Sequence, residues 1–363
     1  MDYPLNQLYA YVTDTCNLRC RHCWIAPRYT AAPGGEDGID ADLFASVLDE
    51  ALPLGLTAVK LTGGEPLCHP RFDRLLEAVR ERELGLSVET NGTLVTADAA
   101  RLMASRGGAF VSVSLDSADP AVHEAIRGVE GCFAAAVRGI ENLVAAGLRP
   151  QVIMTVMGRD RRDLEGLAFL ARDLGASSVK FNIVQPTARG RGIHERGDMP
   201  TVPELVALGR WVDRELAPSL DIPVIFHHPP AFLSLSRMFG PGGDGCHNCG
   251  IKGILGILAD GSYALCGIGV TVPELVFGRA GRDPLAEVWR HNEVLRGIRE
   301  NLPRGLKGVC ASCLLKGVCL GGCIAVNYGT TKDLWAPFWY CRQAFEAGLF
   351  PEGRLLPGSF PTN

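Results

Sequence analysis

The sequence predicts an α/β fold: an open, partial (β/α)6 barrel, then a small cysteine-rich α+β domain with a β-hairpin. Three observations predict it. Apolar, β-branched runs alternate with helical patterns through the first half of the chain. Six such units fall short of the eight that close a barrel. Eight of the 13 cysteines crowd between Cys246 and Cys341.

The strand-like runs lie at 8–13, 58–61, 86–90, 110–115, 151–157 and 178–183. Continuous apolar strands belong to a parallel sheet covered by helices, and helical patterns fill the gaps at 41–52, 71–84, 132–146 and 160–174. In parallel β/α folds the chemistry sits at the carboxyl ends of the strands, where Cys16, Gly63, Asn91 and Asp116 fall. Residues 185–203 are polar and rich in Gly, Pro and Arg, which reads as a loop or linker. A helix over roughly 202–216 and a short strand at 222–226 follow. Further on, 254–258 and 262–265 read as two strands joined by a tight turn at Asp260-Gly261, and 283–299 as a helix. The expected boundaries are barrel 1–200, bridging segment 201–240, cysteine-rich domain 241–347 and tail 348–363.

The apolar fraction of 47% suits a sizeable core, and the net charge of −4 argues against a nucleic-acid surface. The amino terminus has neither the basic region nor the apolar run of a signal peptide, and no stretch approaches the roughly 18 apolar residues of a membrane span. A cytoplasmic protein without nucleic-acid or membrane partners is expected. In a reducing compartment, clustered cysteines point to metal ligands rather than disulfides.

Cys16, Cys20 and Cys23 follow the first strand at the spacing C-x-x-x-C-x-x-C. Three thiolates are one short of a closed zinc site, but they hold three irons of a [4Fe–4S] cube and leave the fourth open to a small chelator. Thr62-Gly63-Gly64-Glu65-Pro66 follows the second strand, Thr90-Asn91-Gly92 ends the third, Ser114-Leu115-Asp116 ends the fourth, and Arg127 comes soon after. Together these resemble the radical S-adenosylmethionine (SAM) superfamily, whose core is a TIM-like partial barrel. The resemblance implies that SAM chelates the open iron and is cleaved by one electron to a 5′-deoxyadenosyl radical, which takes a hydrogen from the substrate. It also implies SAM contacts at Thr62, Gly63, Gly64, Glu65, Asn91, Ser114, Asp116 and Arg127, with Glu65 accepting from the methionyl amine and Arg127 pairing with the SAM carboxylate.

Toward the carboxyl end come Cys246-x-x-Cys249, Gly261, Cys266, Cys310-x-x-Cys313, Cys319, Cys323 and, after seventeen residues, Cys341. Paired C-x-x-C motifs also occur in structural zinc sites. Downstream of the motifs above, the pattern resembles the SPASM extension of peptide-modifying radical SAM enzymes. That resemblance implies two auxiliary [4Fe–4S] clusters, on Cys246, Cys249, Cys266 and Cys323 and on Cys310, Cys313, Cys319 and Cys341, so three clusters in all. Cys246 is the ligand whose spacing varies most in the family; without it, an iron would be open to a substrate thiolate. Cys68 and Cys132 read as small buried hydrophobes. Trp24 reads as a shield over the first cluster or as core packing. His227-His228 do not face one way on a strand, and residues 159–162 read as a solvated helix start.

The expected function is maturation of a ribosomally made peptide through a thioether or carbon–carbon crosslink or a related oxidation. A reductant such as flavodoxin or ferredoxin is implied. Because the sequence starts almost at its first strand, a separate leader-binding protein or leader-independent binding is also expected. Anaerobic sulfatase maturation is the alternative, but that family carries a catalytic Asp after the third SPASM cysteine, where Cys266 here precedes Gly267-Ile268-Gly269. A dehydrogenase or epimerase of small molecules and a non-catalytic iron–sulfur electron carrier are further alternatives. No general base is identifiable.

Overall fold

The computed structural model describes residues 3–32, 35, 38–105, 107–158, 160–240 and 249–358. Six parallel strands appear where the apolar runs predict them: β1 (Gln7–Tyr11), β2 (Ala58–Thr62), β3 (Gly85–Thr90), β4 (Phe110–Ser114), β5 (Gln151–Val156) and β6 (Ser178–Ile183). The sheet does not stop there. β7 (Val224–His227) pairs in parallel with β6, and β8 (Ile254–Ile257) pairs in parallel with β1, from Gln7↔Ile254 to Ala10↔Ile257. β9 (Ser262–Ala264) and β10 (Val276–Arg279) then turn antiparallel, giving the order β10-β9-β8-β1-β2-β3-β4-β5-β6-β7. The hairpin expected in the cysteine-rich region therefore exists, but as an extension of the barrel sheet. A short strand reads the same whether it begins a new sheet or joins an old one.

The covering helices include α1 (Ala41–Ala51), α2 (Phe72–Glu81), α3 (Ala97–Ala104), α4 (Pro120–Arg127), α5 (Cys132–Ala145) and α6 (Arg161–Asp173). Their apolar stripes pack on the outer face of the sheet: Phe44, Val47 and Leu48 of α1, for example, are fully buried. α1 starts where the Asp40 carboxylate accepts from the backbone of Asp42 and Leu43 at 3.0 and 2.8 Å.

Two expectations need correction. The supposed linker at 185–203 contains α7 (Ala188–Arg196), followed by α8 (Val202–Trp211) behind a Thr201–Glu204 capping box. The intrinsic propensity of ARGRGIHER is poor, with two glycines in the helix, so tertiary packing decides: Ile193 is buried, and His194 meets Trp339 edge-on at 4.8 Å. The single helix expected at 283–299 is two, Leu285–His291 and Glu293–Asn301, because Asn292 turns extended and caps the second through Val294 and Leu295. Residues 348–358 are held as well: Leu314 donates to Arg354 O and Leu356 to Ser312 O.

Candidate active site

The cysteine loop after β1 is built by its neighbours. Arg19 and Arg21 donate their amides to the carbonyls of Arg127 and Ile126, both at 2.9 Å, using the free carbonyl end of α4. From the other side, Arg189 of α7 reaches Cys20 O at 3.1 Å and Pro27 O at 3.3 Å. The loop after β2 is stitched on in turn, with Gly64 donating to Thr13 O and Glu65 to Thr15 O, each at 2.9 Å. Approach here is so close that a Cβ on Gly64 would lie 1.9 Å from Thr15 O.

These loops enclose a cavity of about 200 Å³ lined by Cys16, Cys20 and Cys23 together with Thr62, Gly63, Gly64, Asn91, Ser114 and Arg127. Most of the expected SAM contacts thus meet the three thiols in one space. Asn91 Nδ2 lies 3.9 Å from Cys16 Sγ and 2.9 Å from Asn17 Oδ1, and Arg127 Nη1 lies 3.6 Å from Cys20 Sγ. Burial pushes the Cys16 and Cys20 thiols up, and Arg127 only partly offsets this at Cys20. Thiolates placed here call for more positive charge than the protein supplies, so the donor set fits an iron cluster.

Two expected contacts are placed differently. Glu65 turns away from the cavity: its carboxylate accepts from Thr90 Oγ1 at 2.6 Å, Asn91 N at 2.7 Å and Leu67 N at 3.2 Å, tying the β2 loop to the β3 loop. Burial nevertheless raises it to about 7. Asp116 lies fully buried behind the wall, 2.7 Å from Arg127 Nε, and accepts from Thr155 N at 3.0 Å. Arg127 therefore arrives at the cavity with its charge already shared between a carboxylate and a sulfur. His22 sits on the same group, 3.8 Å from Asp116 Oδ2, and burial lowers its pKa to about 4.

Among the described residues the carboxy-terminal thiols lie in two places. Cys310, Cys313, Cys319 and Cys341 line one small cavity, and the Cys310 and Cys341 thiols interact across it. Cys249, Cys266 and Cys323 interact electrostatically, and burial, then Cys323, pushes Cys266 up to about 12. Cys246 lies outside the described residues. Among the described residues, no three His, Cys, Asp or Glu side chains converge tightly enough to hold a single ion; the thiols are spread around spaces instead. Cys68 is buried, as expected, and pushed up to about 12 by burial and then by Glu65. Cys132 is buried too, in the same packed group as Cys16 and Cys20. Trp24 is 38% exposed, with its ring edge-on to Tyr11. His227 is exposed at the end of β7 while His228 is buried.

A second cavity of about 330 Å³ shares His22, Trp24, Thr155 and Asn182 with the first and runs to Cys249 and Cys323. Phe338, Trp339 and Tyr340 form an aromatic wall, and Trp339 Nε1 donates to Gln185 Oε1 at 3.1 Å. The sequence reading missed this chamber and its charged lining.

The radical SAM superfamily model matches residues 10–171. The chain carries a radical SAM domain. Its cofactors are SAM and a [4Fe–4S] cluster. Among curated proteins it is 28% identical to the AdoMet-dependent heme synthase of Methanosarcina barkeri over 342 residues, 91% of this chain and 94% of that one. It is also 28% identical to the mycofactocin maturase MftC of Mycolicibacterium smegmatis over 356 residues, 95% of this chain and 85% of that one. Among solved structures, Streptococcus suis SuiB bound to S-adenosylmethionine superimposes with a TM-score of 0.71 at 19% identity, over 94% of this chain and 78% of that one. SuiB has also been solved with its precursor peptide SuiA. This likeness shows the fold, a mixed α/β partial barrel. Among the described residues, no helix of this radical SAM enzyme is long and apolar enough to cross a membrane.

Proposed function

We propose that this radical SAM enzyme matures a peptide. Cys16, Cys20 and Cys23 would hold the SAM-binding cluster. Two further [4Fe–4S] clusters would sit on Cys246, Cys249, Cys266 and Cys323 and on Cys310, Cys313, Cys319 and Cys341. The observation that carries the reading is a pair of adjoining cavities that share His22, Trp24, Thr155 and Asn182 as walls, one lined by the first three thiols and the other by Cys249 and Cys323. A substrate in the 330 Å³ chamber would touch both ends. Held by Cys16, Cys20 and Cys23 and the residues around them, cluster and SAM would supply a 5′-deoxyadenosyl radical. The chain's own part is to position and to exclude water. Thr62, Gly63, Gly64, Asn91 and Ser114 form the wall that receives SAM. Arg127, held by Asp116, would pair with the SAM carboxylate, and Glu65 keeps the β2 and β3 loops in register. Relatives named as maturases and a neighbour solved with a precursor peptide support a peptide substrate. A low-potential cytoplasmic reductant such as flavodoxin or ferredoxin completes the proposal.

Formylglycine formation is disfavoured by geometry. A Cβ on Gly267 would lie 2.3 Å from the Tyr11 ring, so the position after Cys266 has no room for an acid.

The test is anaerobic reconstitution. Wild type with SAM and dithionite should yield 5′-deoxyadenosine, and a short peptide encoded beside the gene should lose hydrogen mass. Replacing Cys16, Cys20 and Cys23 together by Ala should abolish both and lower iron content by about a third. Loss of all iron in that variant, or an unchanged peptide with turnover of SAM, would remove the reading.

A further inference from the structure

The inside of the barrel is unexpectedly polar. Lys60 and Glu89 face inward from β2 and β3 and pair at 2.7 Å, and the Lys60 ammonium also lies 4.5 Å from the centre of the Tyr9 ring. Lys180, on β6, has no such partner: among the described residues nothing forms a hydrogen bond or ion pair with it. It lines the 330 Å³ chamber two residues before Asn182 on the same strand face. The charges felt at its position are Glu89, already committed, and Lys60, which repels it. Two lysines and one glutamate leave one positive charge over. Half-buried and without a direct ion-pair partner among the described residues, this ammonium can take an arriving anion, and the Cys249 and Cys323 thiols are further ionisable groups lining the chamber. Close by, Asn182 Oδ1 and both ring nitrogens of buried His228 are also unpartnered among the described residues. Burial keeps His228 neutral, with its pKa lowered to about 3, so it brings one N–H donor and no second charge.

We infer that Lys180 anchors a carboxylate of the substrate, with Asn182 Nδ2 and one ring N–H of His228 as neutral donors, and so sets which residue lies before the radical. One cation beside the Trp339 and Tyr340 wall suits a monoanion attached to an apolar body. A more highly charged group would need further cations. On the peptide reading, on which the inference draws only for the substrate's class, the carboxylate belongs to an Asp or Glu side chain or to the chain terminus.

The experiment measures binding. Reconstituted full-length enzyme with SAM is dialysed against N-acetyl tetrapeptides, made as free acids and as amides, and the retained members are identified by mass. Wild type should enrich carboxylate-bearing members about tenfold or more. Enrichment confined to free acids identifies the terminus, and enrichment of Asp or Glu among the amides identifies a side chain. Lys180→Met should erase the preference and Lys180→Arg should restore part of it, with iron content checking the fold. Independently of any variant, 3-phenylpropionate should bind wild type and its amide should not. Equal retention of acidic and neutral peptides overturns the inference while leaving the peptide reading intact. Binding of 3-phenylpropionate without any peptide supports the inference and removes the peptide reading. If neither binds, both fall. A preference unchanged in Lys180→Met, with the potential of an auxiliary cluster shifted instead, would make Lys180 a countercharge to that cluster and end the proposal.

Discussion

The two ends of the molecule hold their thiols by different means. Cys16, Cys20 and Cys23 ride on one loop, and barrel elements clamp that loop from both sides: α4 through the amides of Arg19 and Arg21, α7 through Arg189. In the Cys310–Cys341 set, Cys310 and Cys319 ride on the helices Gly308–Ser312 and Lys316–Cys319, which at five and four residues are far below the length that is stable alone. Cys313 follows the first of them, and Cys341 lies on the eight-residue helix Trp339–Glu346. There the four thiols face one small cavity between those pieces. One site is made by the fold; at the other, the cluster proposed there would help to tie the pieces together.

Removing metal breaks this comparison most directly. Anaerobic chelation of the reconstituted enzyme, followed by limited proteolysis, should place the first cuts between residues 303 and 341, while the barrel through 183 survives intact. Cuts appearing at the Cys16–Cys23 loop at the same rate would mean that both sites depend equally on their metal.

Substituting Gly64 sharpens the comparison from the barrel side. Gly64→Ala drives a Cβ into the Thr15 carbonyl, and backbone on both sides must shift. A loss of about 1–3 kcal/mol in urea unfolding is expected. Because Thr15 precedes Cys16, the shift should reach the first thiols, so SAM binding should weaken while iron at the carboxy-terminal sites is retained. Stability lost with SAM affinity unchanged would show that the cysteine loop is not held through the β2 loop.

How far these arrangements were legible in the sequence depends on distance along the chain. The six central strands and the gathering of Cys16, Cys20 and Cys23 with Gly63 and Asn91 follow from local pattern, since each of these motifs sits at a strand end. The turning of Glu65 toward Thr90 and Asn91, and of Asp116 toward Arg127, does not: a carboxylate takes whichever donors tertiary packing brings to it. Arg127, at the end of α4, is expected at the site from the family resemblance rather than from such a pattern. Helix α7 lacks local propensity and so looked like a linker. Lys60, Glu89 and Lys180 did leave a signal. Each interrupts an apolar strand at an inward position, in AVKLT, GLSVET and SVKFNI, and a charge inside a barrel strand asks for a partner.

Asn292 gives the smallest expected effect and the clearest separation of sequence position from spatial membership. It lies among the carboxy-terminal cysteines in sequence, yet the helix before it joins the barrel: Trp289 Nε1 donates to Tyr3 O at 2.9 Å, and Leu285 N to Glu50 Oε2 of α1 at 2.8 Å. Its side chain satisfies two amides at the start of Glu293–Asn301. Asn292→Ala should therefore cost about 1 kcal/mol of unfolding free energy. Iron content and 5′-deoxyadenosine formation should be untouched, because no thiol is attached to either helix. Were the same change to loosen the auxiliary sites, the helices would belong to the metal-built part of the molecule, and the boundary between fold-made and metal-made structure would move to Leu285.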